Sequence, residues 1–352
     1  MSTNPRLLFV GPMLGTNPNW VPNPMEILAP YLQQRGYTCL FTSRIVNRYV
    51  RFLDILRTLV TERDKYDVVC LQVYSGPSLV VEDAAGFIAR SLRKPLIMVL
   101  HGGAMPDSMK RFPKATKRIL SRADMIITPS QYLADAVAAF GFRATVIPNL
   151  IALSEYPFKR RCSVRPILLW MRTFYDYYNP NMAVRVLHEL LNDFPDATLT
   201  LAGQEKGMED EVKSLVARLG LNGRVQFPGF LSLPMKREVF LRHDIFLNTT
   251  FIDNMPVCLV EAGAFGLPIV STNVGGVPYM VKHEESALLV EPDDVKGMAD
   301  AVRRLVREPA LAERLSMNGR IMAERSDPNT VVPMWEEVLN RVARHEQVFS
   351  YA

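Results

Sequence analysis

Two carboxylates that are eight positions apart, Asp253 and Glu261, flank the predicted start of a helix. An apolar run ends near Asn248, and Pro256 suits a first helical turn because the N–H that proline lacks would be unpaired there. Glu261 then lies about one turn inside the helix, where a carboxylate can accept both hydroxyls of a ribose. Asp253 precedes the helix and can reach a sugar hydroxyl. The spacing therefore predicts a site for a ligand that carries hydroxyl groups.

The same helix start offers unpaired backbone amides. Such amides bind a diphosphate well, because they point at the ligand and the helix dipole favours negative charge. Gly266-Leu-Pro268 predicts the end of the helix, and Gly275-Gly276 would let the backbone pass close to a ligand. The amides that we expect to face the ligand are those of Met255, Val257 and Cys258.

Short apolar runs alternate with helical patterns along the whole chain. Near-continuous apolar strands separated by helices indicate parallel sheets that are covered on both faces. The 352 residues exceed the usual size of one hydrophobic core, so we predict an α/β protein with two doubly wound, Rossmann-like domains. The strand candidates are Leu7–Val10, Thr38–Thr42, Val68–Val73, Leu96–Leu100, Met125–Thr128, Thr145–Ile147, Ile167–Met171, Thr198–Ala202, Val225–Phe227, Ile245–Asn248, Ile269–Ser271 and Ala287–Val290.

The predicted domains meet in a segment from Pro148 to Pro166, which shows neither helical nor strand periodicity. We place the first domain at residues 1–158 and the second at residues 159–326. Residues 327–352 form a C-terminal segment whose helical pattern, Val331 to Val348, could cap either domain or cross back to the first. Two doubly wound domains bind ligands in the crevice beyond the carboxyl ends of their strands, so the residues just after each strand are the candidates for chemistry.

The segment from Asp253 to Gly276 closely resembles the donor motif of the retaining glycosyltransferases of family 4. These enzymes have the GT-B fold, in which two Rossmann-like domains face each other across a cleft. The resemblance rests on an acid, seven residues, a second acid, and then Ala-x-Ala-x-Gly-x-Pro-Ile-Val-x-Thr-x-x-Gly-Gly. Further segments that resemble the family's are Ile147–Asn149, Leu201–Gly203, Arg224–Gly229 and Ala287–Asp294.

The chain departs from the family in three places. The first acid is usually Glu and is Asp253 here. Arg172 matches the arginine that the family uses for the diphosphate, but Tyr177 stands where its partner lysine is expected. Lys206, which follows the next strand, either supplies the missing charge or is a solvated loop lysine. The third departure is Ser286-Ala287, where the family usually has glycine.

The first half carries its own candidates. The loop Gly11–Trp20, with Gly15, resembles the family's β1 loop near the donor phosphates and the acceptor. It is not a G-x-G-x-x-G fingerprint, so hydride transfer is disfavoured. Trp20 either stacks on an acceptor sugar or covers the loop. His101 matches a family histidine near the transferred sugar, whereas Ser130 reads as a helix N-cap.

The candidate site residues have two kinds of predicted role, catalysis and donor binding. We assign catalytic roles to His101, Asp253 and Arg172. We assign donor binding to Gly15, Arg172, Lys206, Gly229, Asp253, Asn254, Met255, Pro256, Val257 and Glu261. The resemblance implies that Glu261 holds the ribose, Asp253 the sugar, and Gly229 a place beside the base. It also implies retention at the anomeric carbon and no metal or other cofactor.

Charge is distributed unevenly along the chain. Residues 1–165 carry 22 Lys and Arg against 11 Asp and Glu, whereas residues 166–352 carry 19 against 25. A basic half suggests an anionic partner, such as a membrane surface or a phosphate-bearing acceptor. Two basic amphipathic stretches, Arg44–Arg63 and Lys110–Arg122, could lie on an anionic membrane or could be core-packed helices with a solvated basic face.

Other classes of protein are disfavoured. No signal peptide is evident, no apolar run reaches the about 18 residues of a membrane span, and the four cysteines are too dispersed for a zinc site or a disulfide framework. We expect a cytoplasmic protein, with contact to the inner face of a membrane and no nucleic-acid partner.

The resulting hypothesis is transfer of a sugar from a nucleotide-diphosphate sugar to a saccharide or lipid-linked acceptor, in surface polysaccharide or glycolipid synthesis. Two alternatives stay open. One is transfer to a small soluble acceptor, and the other is a catalytically silent protein that binds sugar nucleotides. Asp253 and the unmatched lysine motivate the second alternative.

Overall fold

The computed structural model describes residues 4–17 and 20–344. Contacts divide the chain into two compact units. The first combines Met1–Leu150 with Pro328–Ala352, and the second is Ile151–Asp327. Each unit contains a six-stranded sheet, which confirms the predicted pair of Rossmann-like halves.

The first unit alternates strands and helices. Its strands are β1 (Arg6–Val10), β2 (Thr38–Phe41), β3 (Val68–Val73), β4 (Leu96–Leu100), β5 (Met125–Thr128) and β6 (Thr145–Val146). Its helices up to this point are α1 (Pro24–Gln34), α2 (Arg48–Thr61), α3 (Leu79–Ser91), α4 (Met105–Arg111), α5 (Pro113–Leu120) and α6 (Gln131–Ala138). The strand order is β2-β1-β3-β4-β5-β6, and every pairing is parallel.

The second unit repeats this plan. Its strands are β7 (Ile167–Met171), β8 (Thr198–Ala202), β9 (Val225–Gly229), β10 (Ile245–Asn248), β11 (Ile269–Thr272) and β12 (Leu288–Val290). Its helices are α7 (Pro180–Leu190), α8 (Glu209–Arg218), α9 (Leu233–Arg242), α10 (Val257–Phe265), α11 (Val277–Met280), α12 (Val295–Arg307) and α13 (Pro309–Glu324). The strand order is β12-β11-β10-β7-β8-β9, again with parallel pairings.

All twelve strand candidates are present, and no predicted end differs from the observed one by more than two residues. The strands could be predicted from the sequence because both of their faces are buried. Leu7 and Phe9 of β1 point into one apolar cluster, and Leu8 and Val10 point into the other. Side chains alternate between the two faces of a sheet, so helices on both faces demand an unbroken apolar run.

The chain ends in α14 (Pro328–Ala343), which belongs to the first unit. Its apolar stripe, which includes Val331, Trp335 and Leu339, joins the cluster that contains α1 residues such as Leu28. The helix therefore covers the first unit, one of the two packings that the sequence left open. Residues 345–348 of the predicted helical pattern lie outside the described residues.

The division between the units falls earlier than the predicted boundary after residue 158. The segment 151–158 packs with the second unit. Ile151 donates its N–H to the carbonyl of Ser326 at 3.0 Å, and Ile151, Leu153 and Tyr156 lie in an apolar cluster of that unit. The linker lacked a helical or strand period because it makes these contacts in extended and turn conformations.

Helix α10 crosses α13 at two glycines, Gly263 and Gly319. A Cβ atom on Gly263 would lie 2.3 Å from the carbonyl oxygen of Gly319. All side chains from Cys258 to Phe265 are buried, so α10 has no solvent face and shows no amphipathic period. The close crossing fixes this buried helix, whose N-terminus carries the predicted site.

Replacement of Gly263 with Ala should destabilise the protein. Overpacking of a close contact costs about 1–3 kcal/mol, and here the obstacle is backbone rather than a flexible side chain. Urea unfolding measures the loss. Gly86→Ala is the matched control, since this glycine also lies within a helix and its Cβ would meet nothing closer than Met98 Cε at 3.4 Å. Equal stability of the two variants would contradict the prediction.

Candidate functional site

The predicted ligand-binding segment follows β10 and leads into α10, as the sequence indicated. Pro256 is the N-cap, with φ −66° and ψ 108°, and the helix begins at Val257. The prediction that Pro256 occupies the first turn is therefore off by one residue. Proline serves at this place because a cap needs extended backbone. Gly266 ends the helix in a left-handed conformation, as predicted.

Gly275 and Gly276 pack directly against the loop that precedes α10. The amide of Gly276 donates to the carbonyl of Asp253 at 3.0 Å. A Cβ atom added to Gly275 would lie 2.1 Å from the carbonyl oxygen of Asp253. One added to Gly276 would lie 1.7 Å from the carbonyl oxygen of Asn254. The sequence indicated a close approach to a ligand, whereas the approach in the structure is to protein backbone. The glycine pair thus fixes the path of the loop that carries Asp253.

Arg172 lies at the centre of the candidate site. It follows β7, and its side chain is 11% exposed. Its Nη2 forms an ion pair with Asp253 Oδ2 at 2.7 Å, and its Nη1 lies 3.2 Å from Cys258 Sγ. The ring of Tyr178 covers the guanidinium, with its centroid 3.9 Å from Cζ. A cation is therefore held beside the N-terminus of α10.

The electrostatics of this cluster favour the charged arginine. Burial by itself would lower the pKa of Arg172, but Asp253, Cys258 and Tyr178 outweigh it and hold that pKa above its usual value. Burial raises the pKa of the Cys258 thiol despite the guanidinium beside it. The cluster thus holds a permanently charged guanidinium, paired with Asp253, next to a thiol that stays protonated at the helix start.

The N-terminal amides of α10 add to this charge. Asp253 Oδ1 accepts the N–H of Asn254 at 2.9 Å, so that amide is used within the loop. The amides of Val257 and Cys258 donate no hydrogen bond to any described residue, as expected for the first turn of a helix. Met255 is half-buried in the loop before the N-cap. The backbone donors of Val257 and Cys258 therefore lie beside the Arg172 guanidinium, whose Nη1 is 3.2 Å from Cys258 Sγ.

Glu261 lies one turn further along α10 and is 5% exposed. Its Oε1 accepts the hydroxyl of Tyr156 at 3.1 Å and Lys236 Nζ at 2.8 Å. Neither partner was predicted from sequence, because they are 105 and 25 positions away along the chain. The carboxylate that was predicted to hold a ribose is thus held by two donors of its own.

Two further predicted residues lie at carboxyl ends of neighbouring strands. Gly229 ends β9 with a positive φ of 72°. Lys206 is exposed in the loop after β8, and this loop is joined to the loop after β7 by a hydrogen bond from the Phe174 N–H to the Gln204 carbonyl at 2.8 Å. Gly203 permits the close approach, since a Cβ there would lie 1.7 Å from the Arg172 carbonyl oxygen.

His101 belongs to a second cluster, which lies in the first unit. His101 follows β4, is 7% exposed, and its ring stacks on Tyr74 with centroids 5.1 Å apart. Its Nε2 is buried and has no hydrogen-bond partner among the described residues. Burial lowers the pKa of His101 to about 4, so the ring is neutral at physiological pH. A neutral ring can orient a hydroxyl but carries no charge to a phosphate.

Glu82 supports this cluster from α3 and was not singled out in the sequence. Its Oε1 accepts the N–H of Tyr74 at 3.1 Å, and it is 2% exposed. Burial raises its pKa to about 7, against the lowering effect of the hydrogen bonds that it accepts. Nothing in the periodicity of α3 distinguishes this carboxyl from a surface one.

Gly15 lies in the loop after β1, and a Glu26 carboxylate holds that loop. The Gly15 N–H donates to Oε1 and Oε2 of Glu26 at 3.1 and 3.2 Å, and Glu26 also completes the capping box of α1 with Asn23. Residues 18 and 19 of the predicted Gly11–Trp20 loop lie outside the described residues. Ser130 caps α6 by accepting the Leu133 N–H, as predicted.

The described part of the chain contains neither a cluster of metal ligands nor a helix that could span a membrane. No three His, Cys, Asp or Glu side chains there lie together as a metal site would require. No helix within the same residues has the length and apolar character of a membrane span.

Comparison with known families agrees with the motif. The family model described as glycosyl transferases group 1 matches residues 157–322. The model described as Glycosyltransferase Family 4 matches residues 20–155. Between them the two matches take in nearly all of the chain from residue 20 to residue 322.

Individual relatives are distant. An uncharacterized glycosyltransferase of Haemophilus influenzae is 26% identical over 169 residues, which cover 47% of this chain and 46% of that protein. The putative teichuronic acid biosynthesis glycosyltransferase TuaC of Bacillus subtilis is 26% identical over 269 residues, or 72% and 65% of the two chains. The chain thus spans about half to two thirds of the length of these curated relatives.

Solved structures share the fold of this chain. The structure of HepE from Anabaena in complex with UDP-glucose superposes with a TM-score of 0.77 at 17% identity and covers 96% of this chain and 99% of that one. At this identity the likeness shows the fold alone, which is GT-B.

Replacement of Glu82 with Gln should make the protein more stable at alkaline pH. The pKa of Glu82 is about 7 when folded, against its ordinary 4.5, so the folded state binds more protons between these values and loses stability as the pH rises through them. Gln keeps the acceptor for Tyr74 and removes the titration. We expect a gain on the order of 3 kcal/mol at pH 8 and almost none at pH 4.5.

Urea unfolding of both proteins across this pH range measures the effect. His101 contributes equally to both proteins, so their difference isolates Glu82. Glu238→Gln on the exposed side of α9 is the matched control and should show no such trend. A stability difference that does not change with pH would refute the assignment.

Proposed function

Because the chain belongs to the glycosyl transferases of group 1, we propose that it moves a sugar from a nucleotide-diphosphate sugar, with retention at the anomeric carbon, to a saccharide or lipid-linked acceptor. The proposal places this transfer in surface polysaccharide or glycolipid synthesis. The observation that carries it is the buried Arg172 beside the N-terminus of α10, with Glu261 one turn further along that helix.

The proposed mechanism is electrostatic. As the bond between sugar and phosphate breaks, negative charge develops on the departing diphosphate. Arg172 and the amides of Val257 and Cys258 would stabilise that charge, and preorganised donors are worth most in a water-poor site. Lys206 would add a second cation from the neighbouring loop. No metal is needed for this arrangement, because the donors already present are cationic or polarised N–H groups.

The remaining groups would hold the ligand. Glu261 would accept the ribose hydroxyls, and Gly229 would leave room beside the base. Asp253 would bind the sugar. Its carboxylate is already paired with Arg172, so the residue also orients the arginine toward the diphosphate. His101 and Gly15 would act from the first unit on the transferred sugar and the donor phosphates. No side chain is assigned as a strong base, because the acceptor would attack from the face that the diphosphate leaves.

A membrane surface is the proposed setting for a lipid-linked acceptor. The solvent side of α2 and the residues just before it expose apolar side chains, with Tyr49 73% and Leu53 65% exposed. Val46, Val50 and Val60 extend this surface, and Arg48 and Arg57 are exposed on the same helix. Ile55 and Leu59 provide the buried contacts of the same helix. Exposed apolar and basic side chains together favour an anionic membrane surface.

Donor binding should depend on the Arg172 cluster. In thermal-shift and calorimetric assays with UDP- and GDP-sugars, we expect one nucleotide to stabilise the protein. Arg172→Met should weaken its binding about 10- to 100-fold, since hydrogen bonds to charged groups contribute about 1.5–3 kcal/mol. Arg165→Met is the control, because this arginine lies two residues before β7 and its side chain is 71% exposed.

The same assays decide the open alternatives. Lys206→Ala should weaken binding less than Arg172→Met, and an unchanged affinity would remove Lys206 from the site. Release of free nucleotide diphosphate by the wild type, lost in Glu261→Ala, would exclude a silent binding protein. An inverted anomeric product, read by NMR, would contradict retention. Equal turnover of small soluble sugars and lipid-linked ones would favour the alternative acceptor.

Binding to anionic vesicles should depend on α2. We expect the wild type to bind phosphatidylglycerol vesicles at 50 mM salt and to release them at high salt, because screening weakens surface attraction. The double variant Tyr49→Ser, Leu53→Ser should bind at least about tenfold more weakly, since it removes two apolar side chains from the proposed contact. Met317→Ser with Ile321→Ser, on exposed positions of α13, is the control. Failure of the wild type to bind these vesicles at low salt would contradict the membrane proposal.

A further inference from the structure

We propose that Lys236 is a positioning residue for the nucleotide's ribose: it fixes the Glu261 carboxylate so that this carboxylate binds the two ribose hydroxyls. This inference rests on the proposed function, which assigns the ribose to Glu261. It adds a residue in α9 that no sequence motif indicated. Lys236 acts through Glu261 and does not touch the donor.

The two carboxylate oxygens of Glu261 differ in the hydrogen bonds that they accept. Oε1 accepts Lys236 Nζ at 2.8 Å and the Tyr156 hydroxyl at 3.1 Å. A carboxylate offers about four acceptor positions, two on each oxygen. The two donors occupy both positions of Oε1. Oε2 accepts no hydrogen bond from any residue in 4–17 or 20–344, and its two positions match the two hydroxyls of a ribose.

Charge explains why the second donor is a lysine. The Glu261 side chain is 6% exposed and the Lys236 side chain 24%. A buried carboxylate without a cation is costly, and it tends to take up a proton. Lys236 therefore supplies the counter-charge for the buried carboxylate, with Nζ 2.8 Å from Oε1, while Tyr156 contributes direction without charge.

Both donors are themselves held in place. Arg237, the neighbour of Lys236, donates from Nε to the Glu155 carbonyl at 2.7 Å and also pairs with the Glu155 carboxylate. This joins α9 to the turn that carries Tyr156. Arg320 of α13 donates from Nη1 to the Tyr156 carbonyl at 3.2 Å and to the Ala264 carbonyl of α10 at 2.9 Å. Three helices and one turn thus fix a single carboxylate oxygen, which is the arrangement expected of a preorganised site.

Paired ribo- and deoxyribonucleotides test the inference. Calorimetry would compare UDP and GDP with their 2′-deoxy forms on the full chain. A site built to hydrogen-bond a hydroxyl rejects the analogue that lacks it, so we expect the wild type to prefer the ribonucleotide at least about tenfold. Lys236→Met should reduce this preference to about threefold or less. The deoxynucleotide should bind that variant within about twofold of the wild type, because it does not use the missing interaction.

Three further variants separate positioning from general damage. Lys236→Arg keeps the cation and should retain most of the preference. Tyr156→Phe should lose part of it. Lys213→Met is the matched control, since Lys213 forms an ion pair on the exposed side of α8, and this variant should behave as the wild type. Thermal unfolding of each variant confirms that it is folded.

The remaining outcomes distinguish failure of the positioning role from failure of the proposed function. Equal weakening of ribo- and deoxynucleotide in Lys236→Met, or an unchanged preference, would overturn the positioning role while leaving the proposed function intact. A wild type that binds neither UDP nor GDP would overturn the proposed function and this inference with it. Binding without any preference for ribose would instead remove Glu261 from the ribose, and again the inference would fall.

Discussion

The buried guanidinium of Arg172 is the constraint around which the second unit is arranged. A permanent charge that is nearly enclosed must be paired and covered, because desolvation alone is costly. Asp253 supplies the pair and Tyr178 the cover. Asp253 in turn lies on a loop that can follow its path only because two glycines pack against it. The loop, the start of α10 and the end of β7 are therefore fixed by one electrostatic requirement.

The second unit shows a division between rigid support and exposed contact. Helix α10 is buried on all sides and crosses α13 at Gly263, so the groups at its N-terminus cannot shift without disturbing the core. Lys206 lies instead in an exposed loop. Catalysis by preorganised charge needs the first kind of group, whereas ligand entry and release need the second. In the first unit, burial keeps His101 neutral and fixes its ring against Tyr74.

The sequence predicted the elements well and the contacts between them poorly. Buried parallel strands carry an apolar signal that can be recognised in the sequence alone. Asp253 and Glu261 stand at a spacing that indicates a site, and the family resemblance indicated Arg172. Tyr156 and Lys236 could not be found in this way, because their partner is distant along the chain. Glu82 was missed for a related reason, since the sequence does not show whether a single carboxyl on a helix is buried.

The packing of Gly275 and Gly276 on the Asp253 loop changes how the motif should be read. The spacing from acid to glycine pair describes a backbone that fits against itself. A related chain could lose Glu261 or Arg172 and still need both glycines in order to fold this segment. The glycines therefore report the shape of the loop, while the charged side chains report whether it can handle a nucleotide. Searches that weight every motif position equally would recover inactive members of the fold together with active ones.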